Sequence, residues 1–462
     1  MQTYLTKMHK KFILDVNPST GALIEKIKCS SAGEIASAVK LAHKAYKVWG
    51  NTPLKKRIAL MKSVAKDLAK AKDRIGRIIA DEMGKPLKSA VGEVLGTAYA
   101  IEENINMAEK AYETEILKEE NTTTELHRIP LGVVAVITPW NFPVGMPESL
   151  LTPALLAGNT VVFKPSENTP LAGKAIYEIY NNYLPKGAIN LLQGAEEVGE
   201  ILINSDIDMV AFVGSQNVGK KIMSACAKNL NRLVLELGGK DPMIILKDAD
   251  LERAAKYAVN GSLRNSGQVC VSVERIYIED KVAEKFEKLV LENLKNWKVG
   301  KSTEDVDMGP MVNDTQRSHV LSQIEEARRK GAKLLHGGSK IDGEGFFMEP
   351  TVLSNLSDKH DIMVRETFGP VVCIQKVKTA EEAIEKANNS SFGLGATVWT
   401  KNQNKGKEIA RQVESGMVGV NQGIGGVSGT PWVGIKQSGF GYLGSIDGLR
   451  QFTVPKKISY KG

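Results

Sequence analysis

From residue 126 onward, short apolar runs alternate with helical patterns, and this alternation constrains the fold more than any other feature of the chain. In order, the segments are 133–137, 150–156, 160–163, 171–183, 189–192, 209–213, 218–228 and 232–237. Short runs rich in Val, Ile and Phe read as strands buried on both faces. Strand–helix–strand order predicts an α/β fold with a parallel sheet covered by helices, as in dinucleotide-binding proteins. A second series runs from 243 to about 420. Its strand candidates are 243–246, 275–278, 371–375 and 397–400, and its helices 251–265, 281–296, 314–330 and 380–388. Two compact lobes without a long tether are expected. The first 110 residues are mostly helical. Short strands over 13–28 flank a turn at Asn17–Gly21, and Ser31 with Glu34 forms a capping-box signature. Behind it Ile35, Val39, Ala42, Tyr46 and Trp49 recur at helical spacing up to Gly50. Residues 55–83 continue in the same style to Gly84-Lys-Pro86, and 87–111 read as a further helix.

Composition excludes several function classes. No apolar run reaches the roughly 18 residues of a membrane span. The stretch Met1–Phe12 is positively charged but lacks the apolar core of a signal peptide. Four scattered cysteines, Cys29, Cys226, Cys270 and Cys373, suit a reducing, cytoplasmic setting and not a disulfide framework. The six histidines are also scattered, so no metal site is expected. The net charge of +8, from 61 basic and 53 acidic residues, has no concentrated basic block and predicts no nucleic-acid partner.

Two stretches carry the chemistry. Leu233-Val-Leu-Glu-Leu-Gly-Gly239 places Glu236 in a buried strand, where desolvation raises a carboxyl toward the range of a general base. Ser266-Gly-Gln-Val-Cys270 presents one cysteine, a candidate nucleophile. Other loops follow strands directly. Thr138-Pro-Trp-Asn-Phe-Pro143 offers the amide of Asn141 to a developing oxyanion. Lys164 and Glu167, in Phe163-Lys-Pro-Ser-Glu167, stand where open α/β sheets bind ligands and can hydrogen-bond ribose hydroxyls. Phe212-Val-Gly-Ser-Gln-Asn-Val-Gly219 could set a phosphate on a helix N-terminus, although the Gly-x-Gly-x-x-Gly fingerprint is absent. Arg365-Glu-Thr-Phe-Gly-Pro370 adds an acid and an aromatic, and Thr430-Pro-Trp-Val-Gly-Ile-Lys-Gln-Ser-Gly439 is a glycine-rich loop with an aromatic.

Taken together and in order, these motifs resemble the aldehyde dehydrogenase superfamily over nearly the whole chain. The resemblance implies a Rossmann-type cofactor domain at 1–111 and 130–238, an α/β catalytic domain at 239–449, and bridging strands at 112–129 and 450–462. A homodimer or homotetramer follows from it. It implies that Cys270 attacks the aldehyde, Asn141 and the Cys270 backbone N–H hold the oxyanion, and Glu236 activates water to release the acid. For the cofactor it implies that Lys164, Ser166 and Glu167 meet the adenosine side, Gly214 and Ser215 the pyrophosphate, and Glu366 and Phe368 the nicotinamide end. Thr138, Pro139, Trp140 and Leu237 then line the junction. Glu167 should accept a free ribose 2′-hydroxyl and repel a 2′-phosphate, which favours NAD over NADP. CoA-acylating chemistry and a non-catalytic dinucleotide-binding role are the alternatives; Glu236 speaks against the first and the full site against the second.

The chain departs from the family's pattern at two places. Many members carry Lys at the position of Leu150 and Glu at that of Leu443. We expect a matched loss, an apolar pair in place of an ionic one. Residues 142–160 hold no Lys or Arg, and Glu148 is their one charge. With Val269 and Val271 beside Cys270, that favours uncharged aliphatic or aromatic aldehydes over semialdehydes such as succinate semialdehyde.

Overall fold

A computed structural model of the chain describes residues 11–461; the reading of residues 1–10 lies outside it. Two large sheets dominate. The first runs in the order Gly439–Phe440, Arg232–Glu236, Met209–Val213, Val133–Ile137, Thr160–Lys164, Ile189–Leu191. Its central pairings are parallel, and only the Gly439–Phe440 edge is antiparallel, with Gly439 opposite Glu236. Val133–Ile137 is buried at every position. Because successive side chains point to opposite faces, Val134 and Val136 enter one core while Val133, Ala135 and Ile137 enter another. The first core is closed by the helices Leu54–Lys70, Lys72–Met83, Leu87–Ala111, Gly145–Ala157 and Pro170–Tyr183. The second is closed by Ala32–Trp49, Glu196–Ile203 and Gln216–Cys226.

The second sheet has the order Lys333–His336, Thr351–Ser354, Val371–Val377, Val273–Glu279, Asp241–Ile245, Gly395–Trp399, Met417–Val420. It is parallel except at the Lys333–His336 edge. A separate antiparallel sheet joins Thr453–Lys461, Thr122–Pro130 and Glu115–Glu119. No helix of the described residues is long and apolar enough to cross a membrane.

The expected capping box is present: Glu34 N–H donates to Ser31 Oγ at 3.2 Å, and Ser31 N–H donates to Glu34 Oε2 at 2.7 Å. Three local expectations change. The pattern over 55–83 is two helices, broken at Ala71, whose ψ of 5° leaves the helical range. The helix that contains 150–156 starts earlier, at Gly145, because the Glu93 carboxylate accepts the N–H groups of Val144 and Gly145 at its start. The glycine-rich loop near 439 contributes an edge strand to the first sheet, which its lack of apolar alternation had concealed.

Candidate active site

The site lies at the carboxyl ends of the first sheet's strands. Thr138 follows Val133–Ile137, Lys164 ends Thr160–Lys164, Gly214 follows Met209–Val213, and Glu236 ends Arg232–Glu236. The chain leaves Glu236 through Gly238 and Gly239 and enters the second sheet at Asp241. The two glycines permit close approach: a Cβ on Gly239 would meet the Cys270 carbonyl oxygen at 2.3 Å, and one on Gly238 would meet the Glu366 carboxylate at 2.4 Å.

Cys270 is partly buried and stands behind a tight turn, Arg264–Gly267. Asn265, Ser266 and Gly267 are all left-handed, with φ of 54°, 57° and 68°. A side-chain-bearing residue there costs about 1–2 kcal/mol, and local bonds offset it. Asn265 Nδ2 donates to the carbonyls of Asn141 at 3.2 Å and Gln268 at 3.1 Å, and Ser266 Oγ to that of Gly309 at 2.8 Å. Burial pushes the Cys270 thiol well above its ordinary range, and the carboxylates of Glu236, Asp241 and Glu366 push the same way. Cys270 therefore rests as a thiol.

Glu236 is buried and its carboxyl is pushed up to about 7 by desolvation; hydrogen bonds from Trp432 and Cys270 oppose the shift. Trp432 Nε1–H donates to Glu236 Oε1 at 2.9 Å. Asn141 Nδ2 donates one N–H to the Gln268 carbonyl at 3.1 Å, which orients the amide and leaves its second N–H available. The Asn141 carbonyl accepts from Lys85 Nζ at 3.0 Å. Lys85 in turn ion-pairs with Glu93, and its ammonium lies 3.9 Å from the centre of the Phe142 ring. Cys270, Glu236 and Asn141 line one cavity of about 240 Å³, shared with Pro139, Trp140, Gly214, Ser215, Leu237, Glu366 and Phe368.

That cavity continues through Pro139, Trp140, Gly214 and Ser215 into a larger cleft of about 930 Å³, which also holds Thr138, Lys164, Ser166 and Glu167. Lys164 is buried and its Nζ lies 3.3 Å from Glu167 Oε2. Ser166 Oγ accepts from Asn168 N–H at 3.2 Å. Ser215 caps the helix Gln216–Cys226, accepting from Val218 N–H at 3.4 Å. Thr138 Oγ1 is buried on the cleft wall without a hydrogen-bond partner among the described residues. A long cleft, an unpaired hydroxyl, a helix N-terminus and a carboxylate–lysine pair fit a dinucleotide. At the inner end, Glu366 is pushed up to about 8 by burial and by Glu274, and accepts Gly239 N–H at 3.2 Å. Phe368 meets Trp140 edge-on, with ring centroids 5.4 Å apart. The catalytic and cofactor candidates named in the sequence thus line one connected space.

Sequence reasoning passed over the groups that hold these residues. Lys85 lay in a stretch read only as a helix stop. Lys240 ion-pairs with Glu274, whose carboxylate accepts Thr367 N–H at 2.8 Å and Phe368 N–H at 2.9 Å and so anchors the Glu366 loop. Trp432 was noted as an aromatic in a glycine-rich loop, without a role.

The family model for the aldehyde dehydrogenase family matches residues 4–458. The chain is 36% identical over 461 residues to the mitochondrial succinate-semialdehyde dehydrogenase of Arabidopsis thaliana, covering 98% of this chain and 87% of that protein. It is 34% identical over 447 residues to the glutarate-semialdehyde dehydrogenase of Pseudomonas putida, covering 96% and 93%. The solved structure of an indole-3-acetaldehyde dehydrogenase with NAD+ superposes with a TM-score of 0.95 at 34% identity, covering 98% of this chain and 93% of that one. The chain belongs to the aldehyde dehydrogenase family, enzymes that oxidise aldehydes with NAD or NADP.

Proposed function

We propose that the enzyme converts an aldehyde to its carboxylic acid with Cys270 as nucleophile, Glu236 as general base and Asn141 as oxyanion donor. The observation that carries this is that Cys270, the buried Glu236 carboxyl and the Asn141 amide line one cavity. Glu236 takes the thiol proton, and the sulfur forms a bond to the carbonyl carbon. The negative oxygen is held by the second Asn141 N–H and the Cys270 backbone N–H. The chemistry supplied by the bound dinucleotide is acceptance of the hydride from this adduct, which leaves a thioester on Cys270. Glu236, having lost its proton to solvent, then takes a proton from water; the hydroxide adds to the thioester, the C–S bond breaks, and the acid departs.

Residues 1–111 and 130–238 serve as the cofactor unit, 239–449 as the catalytic unit, and 112–129 with 450–462 as bridging strands. Lys164, Ser166 and Glu167 hold the adenosine end, Thr138 and Ser215 the middle, and Glu366 the nicotinamide end, with NAD preferred because Glu167 repels a 2′-phosphate. The exposed apolar residues Ile116, Leu117, Ile458 and Tyr460 on the three-stranded sheet support a dimer or tetramer. Unpaired thiols at Cys226, Cys270 and Cys373 suit a cytoplasmic enzyme.

For the substrate, Val269, Val271, Phe142, Met417, Ile424 and Trp432 pack around Cys270 and favour an uncharged tail. One observation favours a second reading, a semialdehyde: Arg264 is exposed, stands next to Asn265, and its charge acts on Lys85 and Tyr257. The test is NADH and NADPH formation from hexanal and from succinate semialdehyde, with and without CoA, in wild type, Cys270→Ala and Arg264→Gln. The proposal expects CoA-independent turnover that is lost in Cys270→Ala, and a preference for hexanal that Arg264→Gln leaves intact. A preference for the semialdehyde that Arg264→Gln abolishes would establish the second reading; turnover only with CoA would remove water activation from Glu236.

A further inference from the structure

Trp432 belongs to a two-residue strand, Trp432–Val433, that pairs antiparallel with Tyr442–Leu443 outside both large sheets. The chain that follows is bonded to the strand carrying Glu236. Leu237 N–H donates to the Ser438 carbonyl at 2.9 Å, Ser438 Oγ donates to the Gly238 carbonyl at 2.7 Å, and Gly439 pairs with Glu236 itself. The segment that holds the indole is thus in register with the segment that holds the carboxylate. The ring is wedged between the apolar wall around Cys270 and the first lobe's core, where Leu150 and Leu443 are buried. Indole nitrogen donates and never accepts, so the bond at 2.9 Å suits the ionised carboxylate.

Two side-chain donors serve Glu236 in the resting enzyme, Trp432 and the Cys270 thiol. Acylation removes the second, because a thioester has no S–H. Among the described residues, no Lys or Arg pairs with Glu236. The titratable groups that face the site are Cys270, Glu366 from the loop before Val371–Val377, Asp241 from the second sheet, and His319 from the helix Asp314–Arg329. Neither Glu366 nor Asp241 can supply positive charge to Glu236.

We infer that Trp432 is a positioning residue for thioester hydrolysis: its indole N–H is the side-chain donor that holds the Glu236 carboxylate in place once Cys270 is acylated. The inference rests on Glu236 being the base. It separates the two halves of the reaction, since acylation proceeds with Glu236 held by both donors and hydrolysis with Glu236 held by one.

The test needs neither the natural aldehyde nor a cofactor. With 4-nitrophenyl acetate, Cys270 forms an acetyl thioester as the ester C–O bond breaks and 4-nitrophenolate leaves, so the burst reports acylation. Water then releases acetate, so the steady rate reports hydrolysis. Trp432→Phe keeps an aromatic ring and removes the donor. A full burst is expected, with a steady rate at pH 7 lowered about tenfold or more and its acid limb moved upward by about one pH unit, the scale of one hydrogen bond to a charged group. An unchanged steady rate and pH profile, or a slowed burst with normal hydrolysis, would overturn the inference. Glu236→Gln, run in parallel, should slow the burst, because Glu236 also takes the thiol proton, and give no steady turnover. Normal turnover in that variant would remove Glu236 as the base, whereas a stalled Glu236→Gln beside a wild-type-like Trp432→Phe removes only the role of Trp432. Should Trp432→Phe not fold, the wild-type protein supplies the reading. Of its five tryptophan indole N–H resonances, one should titrate with Glu236, stop titrating in Glu236→Gln and persist after acetylation; none doing so overturns the inference.

Discussion

Glu93→Gln is the substitution that tests the frame behind Asn141 most directly. Lys85 and Glu93 are both buried, with side-chain exposures of 3% and 5%. Glu93 Oε1 accepts Val144 N–H at 3.0 Å and Gly145 N–H at 3.1 Å, while its other oxygen meets Lys85. A glutamine retains the acceptor for the two N–H groups but turns an N–H₂ toward the ammonium. Removing one partner of a buried pair costs about 3–5 kcal/mol. The lysine can instead give up its proton. From an unfolded value near 10.4 that costs about 1.36 kcal/mol per pH unit, or about 4.6 kcal/mol at pH 7 and about 1.9 kcal/mol at pH 9. Burial already draws Lys85 below its ordinary range with Glu93 present. In the variant the unfolded chain binds more protons than the folded one between pH 7 and 10, so its stability must rise with pH. Urea titrations of wild type and variant at pH 7, 8 and 9 should therefore show a deficit of several kcal/mol that shrinks by more than half. Because the Asn141 carbonyl loses a fixed partner, kcat/KM should fall about a hundredfold at pH 7, the effect of an approximately 1 Å displacement of a catalytic group. A deficit under about 1 kcal/mol, or one that does not change with pH, would refute the reasoning and make the pair a bystander.

Three further outcomes follow from other buried groups. Leu150→Lys places an unpaired ammonium at a fully buried position and should cost about 3 kcal/mol or more in thermal unfolding; the double variant with Leu443→Glu should lose less, and equal losses would end the matched-loss idea. Glu148, held by Asn104 and pushed up to about 8 by burial, is protonated in the fold, so its contribution is full below pH 4.5 and is lost as pH rises to 8. Glu148→Gln should accordingly leave urea stability near wild type at pH 5 and raise it by about 1 kcal/mol or more at pH 8. Gly239→Ala forces a Cβ to within 2.3 Å of the Cys270 carbonyl and should slow the 4-nitrophenyl acetate burst about a hundredfold; an unchanged burst would show that Cys270 can move aside freely.

Much of this was legible in the chain because it depends on local order. The 133–137 and 160–163 runs are strands whose mostly apolar side chains face helices on both sides, and the Ser31–Glu34 capping box acts within one helical turn. The loops of Asn141 and Ser215 follow their strands directly, and Lys164 and Glu236 end theirs, so these residues could be named before any coordinate; Cys270 instead lies between the turn Arg264–Gly267 and the strand Val273–Glu279. What the tertiary structure alone decided is which distant groups meet. Lys85 reaches the Asn141 carbonyl across 56 positions, and Trp432 reaches Glu236 across 196. Neither residue belongs to a periodic pattern that sequence reasoning can read. A lysine before a proline looks like a helix end, and a tryptophan in a glycine-rich loop looks like packing, until the fold brings Lys85 against Glu93 and the Asn141 carbonyl and Trp432 against Glu236. Desolvation is a property of the assembled layers, so the ionisation of Glu236, Cys270 and Lys85 is determined there, and the residue types only make it possible.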